Sequence, residues 1–253
     1  MTWSFSMTSI VGVDEAGRGP VLGPLVVGIC CIPAQDEHLL VDAGVKDSKD
    51  LSRVRRRELE AWFHDMVVQR GWYGATVSLD AETIDMALQG EGLNWLEVDG
   101  FAQALETLPN KSTIDVVADA CDVRPQRFTD RITSKLKDWP WPNSSFVSEH
   151  KADMNHPVVA MASILAKEER DRALQQMAER LNIDLGSGYP SDPGTKAALP
   201  HLCKQDGIDI DVRWGWATVE RFWQKHRHGD VPVRGRPRTE QKTLFNHDPP
   251  TIS

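Results

Sequence analysis

Apolar residues run almost continuously in the early strands of this chain and recur at helical spacing later on. Residues 9–15 (SIVGVDE) and 24–32 (PLVVGICCI) read as two strands joined by a Gly/Pro turn. Ser52 is placed as an N-cap, and Leu59, Trp62, Phe63 and Met66 form the apolar stripe of a helix reaching about Gln69. A third strand is expected at 72–79, a short helix from Asp80, a longer helix over 94–108, and a fourth strand at 113–120 that ends in carboxylates. Residues 124–137 read as helix, 144–150 (SSFVSEH) as a short strand, and 157–181 as a long helix with Pro157 in its first turn. A loop, GSGYPSDPGT, precedes helices near 194–206 and 217–226. From His228 the chain is Pro-rich, basic and poor in apolar residues, which predicts a disordered tail over 228–253. Strands come early and helices accumulate late, as in an α/β or α+β domain with a central mixed sheet.

Composition narrows the class without naming a chemistry. The 253 residues are 40% hydrophobic and 26% charged, values of a globular protein with a sizeable core. No apolar run is long enough to span a bilayer, and MTWSFSMTSI lacks the basic and apolar regions of a secretory leader, so a cytoplasmic location is expected. Cys30, Cys31, Cys121 and Cys203 show no metal-binding spacing and read as free thiols. The net charge of −8 disfavours a nucleic-acid partner, yet basic residues gather between Lys46 and Arg70 and again between Arg221 and Lys242. Whole-chain charge therefore decides nothing.

The chemistry begins at GVDEAGRGPVLGP, residues 12–24. Its glycines nearly fit a phosphate-binding P-loop, but Arg18 and Gly19 stand where lysine and a hydroxyl residue belong, and Pro20 and Pro24 block the required helix. A dinucleotide fingerprint fails because Leu22 takes the third glycine position. Asp14 and Glu15 at a strand end suit a hard cation instead, and a cation would reverse the local field that repels a phosphate. Asp119, at the end of an apolar strand, and Asp153, ahead of the long helix, are further candidates. Four such acids could form a two-metal centre, though spacing alone does not show that they meet.

The same stretch resembles the signature of the type 2 ribonucleases H. KDSKDLS (46–52), EGLNWLEVDGFAQAL (91–105), VVADACDV (116–123), HKADMNHPVVAMASILAKEERDR (150–172), GSGYPSDPGT (186–195) and RWGW (213–216) follow in the family's order, over about residues 9–226. GSGYPSDP and ADACD are closer to the archaeal form. The resemblance implies a ribonuclease H-like α/β fold: a mixed central sheet flanked by helices in a catalytic domain over 8–182, then a helical C-terminal part over 183–227. It implies cleavage of the RNA strand of RNA/DNA hybrids and incision beside ribonucleotides embedded in duplex DNA, by a monomer using Mg²⁺ or Mn²⁺. Asp14, Glu15, Asp119 and Asp153 match the family's metal ligands. Gly17, Arg18 and Gly19 match its ribose-sensing loop, Tyr189 its junction tyrosine, and Lys46, Ser48 and Lys49 a phosphate-contacting segment, with Asp50 replacing a frequent lysine. Lys167, Arg170 and Asp171 match the supporting helix, with a solvated pairing equally open. Asp122 reads as a helix cap. In the tail, QKTLFNH (241–247) resembles a sliding-clamp-binding motif: Gln241 and Leu244 fit, Phe245 is adjacent, and His247 fills the aromatic slot. A junction-resolving nuclease of the same superfold and a non-catalytic adaptor are the competing readings.

Overall fold

The computed structural model describes residues 8–235. Five strands form one sheet: β1 (Ser9–Ala16), β2 (Leu25–Pro33), β3 (Tyr73–Leu79), β4 (Ile114–Asp119) and β5 (Ser145–Glu149), in the order β3-β2-β1-β4-β5. β1 pairs antiparallel with β2 and parallel with β4, so the sheet is mixed, with the strand carrying Asp14 at its centre. Helices α1 (Glu37–Asp42), α2 (Arg53–Arg70), α3 (Ala81–Gln89), α4 (Leu93–Glu106), α5 (Pro125–Lys135), α6 (Ala152–Asn155), α7 (Pro157–Leu181), α8 (Pro193–Leu202) and α9 (Ala217–His226) complete the body, with a small hairpin of β6 (Cys203–Lys204) and β7 (Gly207–Ile208).

Both faces of the sheet are covered. Val11, Val13, Val27 and Ile29 pack with Phe101, Leu105, Phe128 and Ile132 of α4 and α5. On the other face Cys30 and Ile32 join Val158, Met161, Leu165 of α7 and Leu59, Phe63 of α2. This double burial explains why β2 reads as an unbroken apolar run rather than an alternation. α7 lies unusually close to the sheet, because a Cβ on Gly12 would come within 2.3 Å of the Val158 carbonyl and one on Gly28 within 2.2 Å of the Ala162 oxygen.

Local signals placed most boundaries. Ser52 caps α2 by accepting from the Arg55 amide (3.2 Å), Gly71 ends it in a left-handed turn, and Asp80 caps α3 through the Thr83 amide (2.7 Å). Three expectations need correction. The helix expected to reach 206 stops at Leu202, and the Gln205–Asp206 turn then folds the chain into the β6–β7 hairpin. Asp122 is no helix cap: it accepts from the Arg124 amide and is held by Arg127 and Arg131 (3.2 Å for the latter). Residues 228–235, assigned to the tail, are packed on the body through Arg234, which donates to Asp85 (2.7 Å) and to the Val212 carbonyl (2.9 Å). Gln241, Leu244 and Phe245 lie outside the described residues.

The C-terminal helices share a core with the start of the chain. Val21 and Leu22, in the β1–β2 connection, pack with Leu174 and Met177 of α7, Leu199 of α8 and Trp223 of α9. Trp214 and Trp216 border this cluster, in keeping with a packing role. No helix among the described residues is long and apolar enough to cross a membrane.

Candidate active site

The site forms where the parallel strands β1 and β4 end. Val13 and Ala118 are register partners, so Asp14 and Asp119 follow side by side, one residue further along each strand. Asp14 is buried, and the Glu15 amide donates to its Oδ1 (2.7 Å). Burial first, then the Glu15 and Asp119 charges, hold the Asp14 carboxyl well above the usual carboxylate range, against a hydrogen bond from Ser163. Asp119 is pushed up to about 6, chiefly by burial and then by Glu15 and Asp153, although the Ala152 amide donates to it (2.8 Å). Asp153 is buried on α6, a one-turn helix that the sequence pattern merged with the approach to α7, and Lys49 Nζ stands 3.6 Å from it. Despite a desolvation penalty, the charges of Asp153, Asp47, Asp14 and Asp119 raise the Lys49 pKa. The four acids therefore converge.

Two groups that the sequence reading did not assign to the site join them. Glu97, on α4, is fully buried and pairs with Arg18 through Oε2, while its Oε1 is buried without a hydrogen-bond partner. Burial and then Glu15 push Glu97 up to about 8, opposed by Arg18. Cys121 donates to Glu15 Oε2 (3.1 Å), and burial holds its thiol protonated. Ligand atoms of Glu15, Glu97 and Cys121 all lie within 4.8 Å of one another. The available signal was a charge set in the buried stripe of α4, among Leu96, Val98 and Phe101. Carboxylates so crowded and an orphaned buried oxygen fit a hard divalent cation, which prefers oxygen ligands.

The other expected residues divide into two groups. Gly17, at φ +93°, has the Pro24 carbonyl and the Arg170 side chain where a Cβ would stand, so only glycine fits there. Gly19 lies against Tyr189, whose ring is 3.5 Å from the Cβ position of Gly19. Tyr189 is 41% exposed and rests on the Arg170 guanidinium, 5.2 Å from the ring centre. Arg170 is buried and donates to the Ser187 carbonyl (2.6 Å), so it supports the Tyr189 loop rather than forming a solvated pair. The Arg18 side chain is committed to Glu97 and to Asn94 (2.8 Å). Lys46 is exposed, whereas Ser48 is buried with its hydroxyl 3.0 Å from that of Ser163, the residue bonded to Asp14. Ser48 is thereby built into the support of the site.

Residues 11–219 match the family model of ribonuclease HII. The chain belongs to the ribonuclease HII family. The ribonuclease HII of Methanocaldococcus jannaschii is 36% identical over 86% of this chain and 96% of that one. The crystal structure of the ribonuclease H2 from Pyrococcus horikoshii superposes with a TM-score of 0.75 at 35% identity, covering 86% of this chain and 98% of that one. An Archaeoglobus fulgidus ribonuclease HII, solved in complex with PCNA, gives 0.70 at 33% identity over 82% and 94%. The enzyme is thus a type 2 ribonuclease H with a mixed sheet flanked by helices, and the family's activity on RNA/DNA hybrids sets the junction-resolving alternative aside.

Proposed function

We propose that the enzyme cleaves the RNA strand of RNA/DNA hybrids and also incises duplex DNA on the 5′ side of an embedded ribonucleotide, with Asp14, Glu15, Asp119 and Asp153 holding two Mg²⁺ or Mn²⁺ ions. The observation that carries this reading is the convergence of these acids beside a glycine loop that lies against Tyr189. Bound cations would supply water activation and stabilisation of the departing 3′-oxygen. Water adds to phosphorus as the P–O3′ bond breaks, leaving a 5′-phosphate and a 3′-hydroxyl. Ser163 and the Glu15 amide orient Asp14, and the Ala152 amide orients Asp119. Gly17–Gly19 bring backbone close enough to a ribose to sense its 2′-hydroxyl, the group that separates RNA from DNA. Tyr189 packs on the sugar at the RNA-to-DNA junction, and Lys46 and Lys49 contact phosphates. The enzyme works as a monomer in the cytoplasm. By analogy with the Archaeoglobus complex, Gln241, Leu244 and Phe245 tether it to a sliding clamp.

Duplex DNA with one ribonucleotide, incubated with Mg²⁺ or with EDTA, tests the core of this reading. Metal-dependent incision 5′ of the ribonucleotide is expected, and Asp119→Asn should abolish it while the protein stays folded. A duplex left intact by the wild-type enzyme in both Mg²⁺ and Mn²⁺ would sink the proposal, and near-normal turnover by the variant would remove Asp119 from the ligand set.

A further inference from the structure

Arg213 is the largest fully buried side chain among the described residues. It makes no ion pair within 4 Å there; its guanidinium is spent on backbone carbonyls. Nη2 donates to Gly17 O (2.6 Å), Nη1 to Arg18 O (3.1 Å) and Nε to Gly23 O (2.9 Å). The three acceptors lie on both arms of the β1–β2 connection, so one side chain ties the loop shut. Trp216 stacks beneath the guanidinium at 4.8 Å and donates its own Nε1–H to Gly19 O (3.2 Å). Desolvation, then repulsion from Arg170, pushes Arg213 down to about 9, which leaves it protonated at neutral pH.

This arrangement has a stereochemical consequence. In a trans peptide the C=O and the following N–H point in opposite directions, and the cis bond in the described chain is at Trp139–Pro140. With the Gly17 and Arg18 carbonyls drawn inward onto Arg213, the Arg18 and Gly19 N–H groups face outward. Gly19 is exposed and lies against Tyr189. Two consecutive outward amides make a concave donor pair suited to a sugar or phosphate oxygen. An apolar side chain could fill the same volume with no charge to desolvate, but only a forked donor can hold both peptide planes at once. The turn bearing Arg213 is itself anchored: Asp85 accepts from the Trp214 and Gly215 amides (both 2.9 Å) and from Arg234.

We propose that Arg213 is the positioning residue for ribose recognition, setting the Gly17 and Arg18 peptide planes so that the Arg18 and Gly19 amides meet the sugar oxygens at the cleavage junction. The inference rests on the ribonucleotide-incising reading above. Its test compares Arg213→Lys, Arg213→Met and Trp216→Phe, assayed below their melting temperatures. The readouts are kcat and KM on duplex DNA bearing one ribonucleotide, and Ki for an all-DNA duplex of the same sequence as competitor. Both Arg213 variants should lose at least about tenfold in kcat, with the methionine worse than the lysine, while Ki changes less than about twofold. Trp216→Phe keeps a ring under Arg213 and loses only the bond to Gly19, so a smaller loss in the same direction is expected. If Arg213→Met fails to fold, the other two variants decide. Unchanged kcat per folded enzyme in those variants, or a Ki that rises in step with KM, overturns the assignment and leaves Arg213 a packing residue. Wild-type enzyme that leaves the ribonucleotide duplex intact overturns the proposed function, and this inference with it; active wild type with unaffected variants overturns the inference alone.

Discussion

α7 packs directly on the sheet backbone at Gly28, and replacing that glycine with alanine gives a quantitative test of how the fold holds the site. A Cβ there would stand 2.2 Å from the Ala162 carbonyl oxygen and 3.0 Å from the Ala166 nitrogen. Both are backbone atoms of α7, so no rotamer change relieves the clash, and the helix must withdraw by about 1 Å to restore ordinary contact. Overpacking of this kind costs about 1–3 kcal/mol, and a backbone obstacle puts Gly28→Ala at the upper end, near 3. The alanine regains roughly 0.4–1 kcal/mol by restricting the unfolded chain. A net loss of about 2 kcal/mol corresponds to a fall in Tm of roughly 4–8 °C for a chain of this size. Function should fall with it, since Gly28 is the register partner of Asp14 and Ser163, next to Ala162, hydrogen-bonds both Asp14 and Ser48. Thermal unfolding by circular dichroism and kcat on an RNA/DNA hybrid, measured well below Tm, read the two effects. A Gly28→Ala enzyme with Tm within about 1 °C of wild type and unaltered kcat would refute the claim that α7 packs on bare backbone here.

Arg56 donates to Glu168 (2.7 Å) and Asp171 (2.8 Å), joining α2 to α7 in a buried ion pair. Arg56→Met leaves the buried Glu168 charge with only the half-exposed Arg57, 3.5 Å away, and should cost about 3 kcal/mol in urea denaturation, with much of that recovered in Arg56→Met/Glu168→Gln; a non-additive gain of zero would dismiss the pair. The raised pKa of Asp119 also makes a signed prediction. An acid that holds its proton more tightly when folded favours the folded state at low pH, so in EDTA stability should decline as pH rises from about 4 through about 6. Asp119→Asn should flatten that decline, and Mg²⁺ or Mn²⁺ should raise the wild-type Tm more at pH 8 than at pH 5; parallel profiles for the two proteins in EDTA would contradict it.

The sheet, the long helix and the caps were legible because each rests on neighbours in sequence. Alternation and apolar runs set the strands, Ser52 and Asp80 started helices, and Pro157 stood where a first helical turn tolerates it. Asp14, Glu15, Asp119 and Asp153 stand out as strand-end and pre-helix acids, and each falls in a family-matched block. Their meeting was not legible. It depends on β1 pairing parallel with β4, with register partners 105 residues apart, and on α6 turning Asp153 toward the strand ends. Glu97 and Arg213 escaped for the same reason: a lone charge in an apolar stripe and an arginine in a Trp-rich turn carry no local sign of what they touch. Local patterns register a residue's neighbours along the chain, so the sequence determined the elements and the donor chemistry. Which buried charges are paired, which carbonyls an arginine captures and which amides are left facing outward depend on contacts between distant segments, and only the tertiary structure decided them.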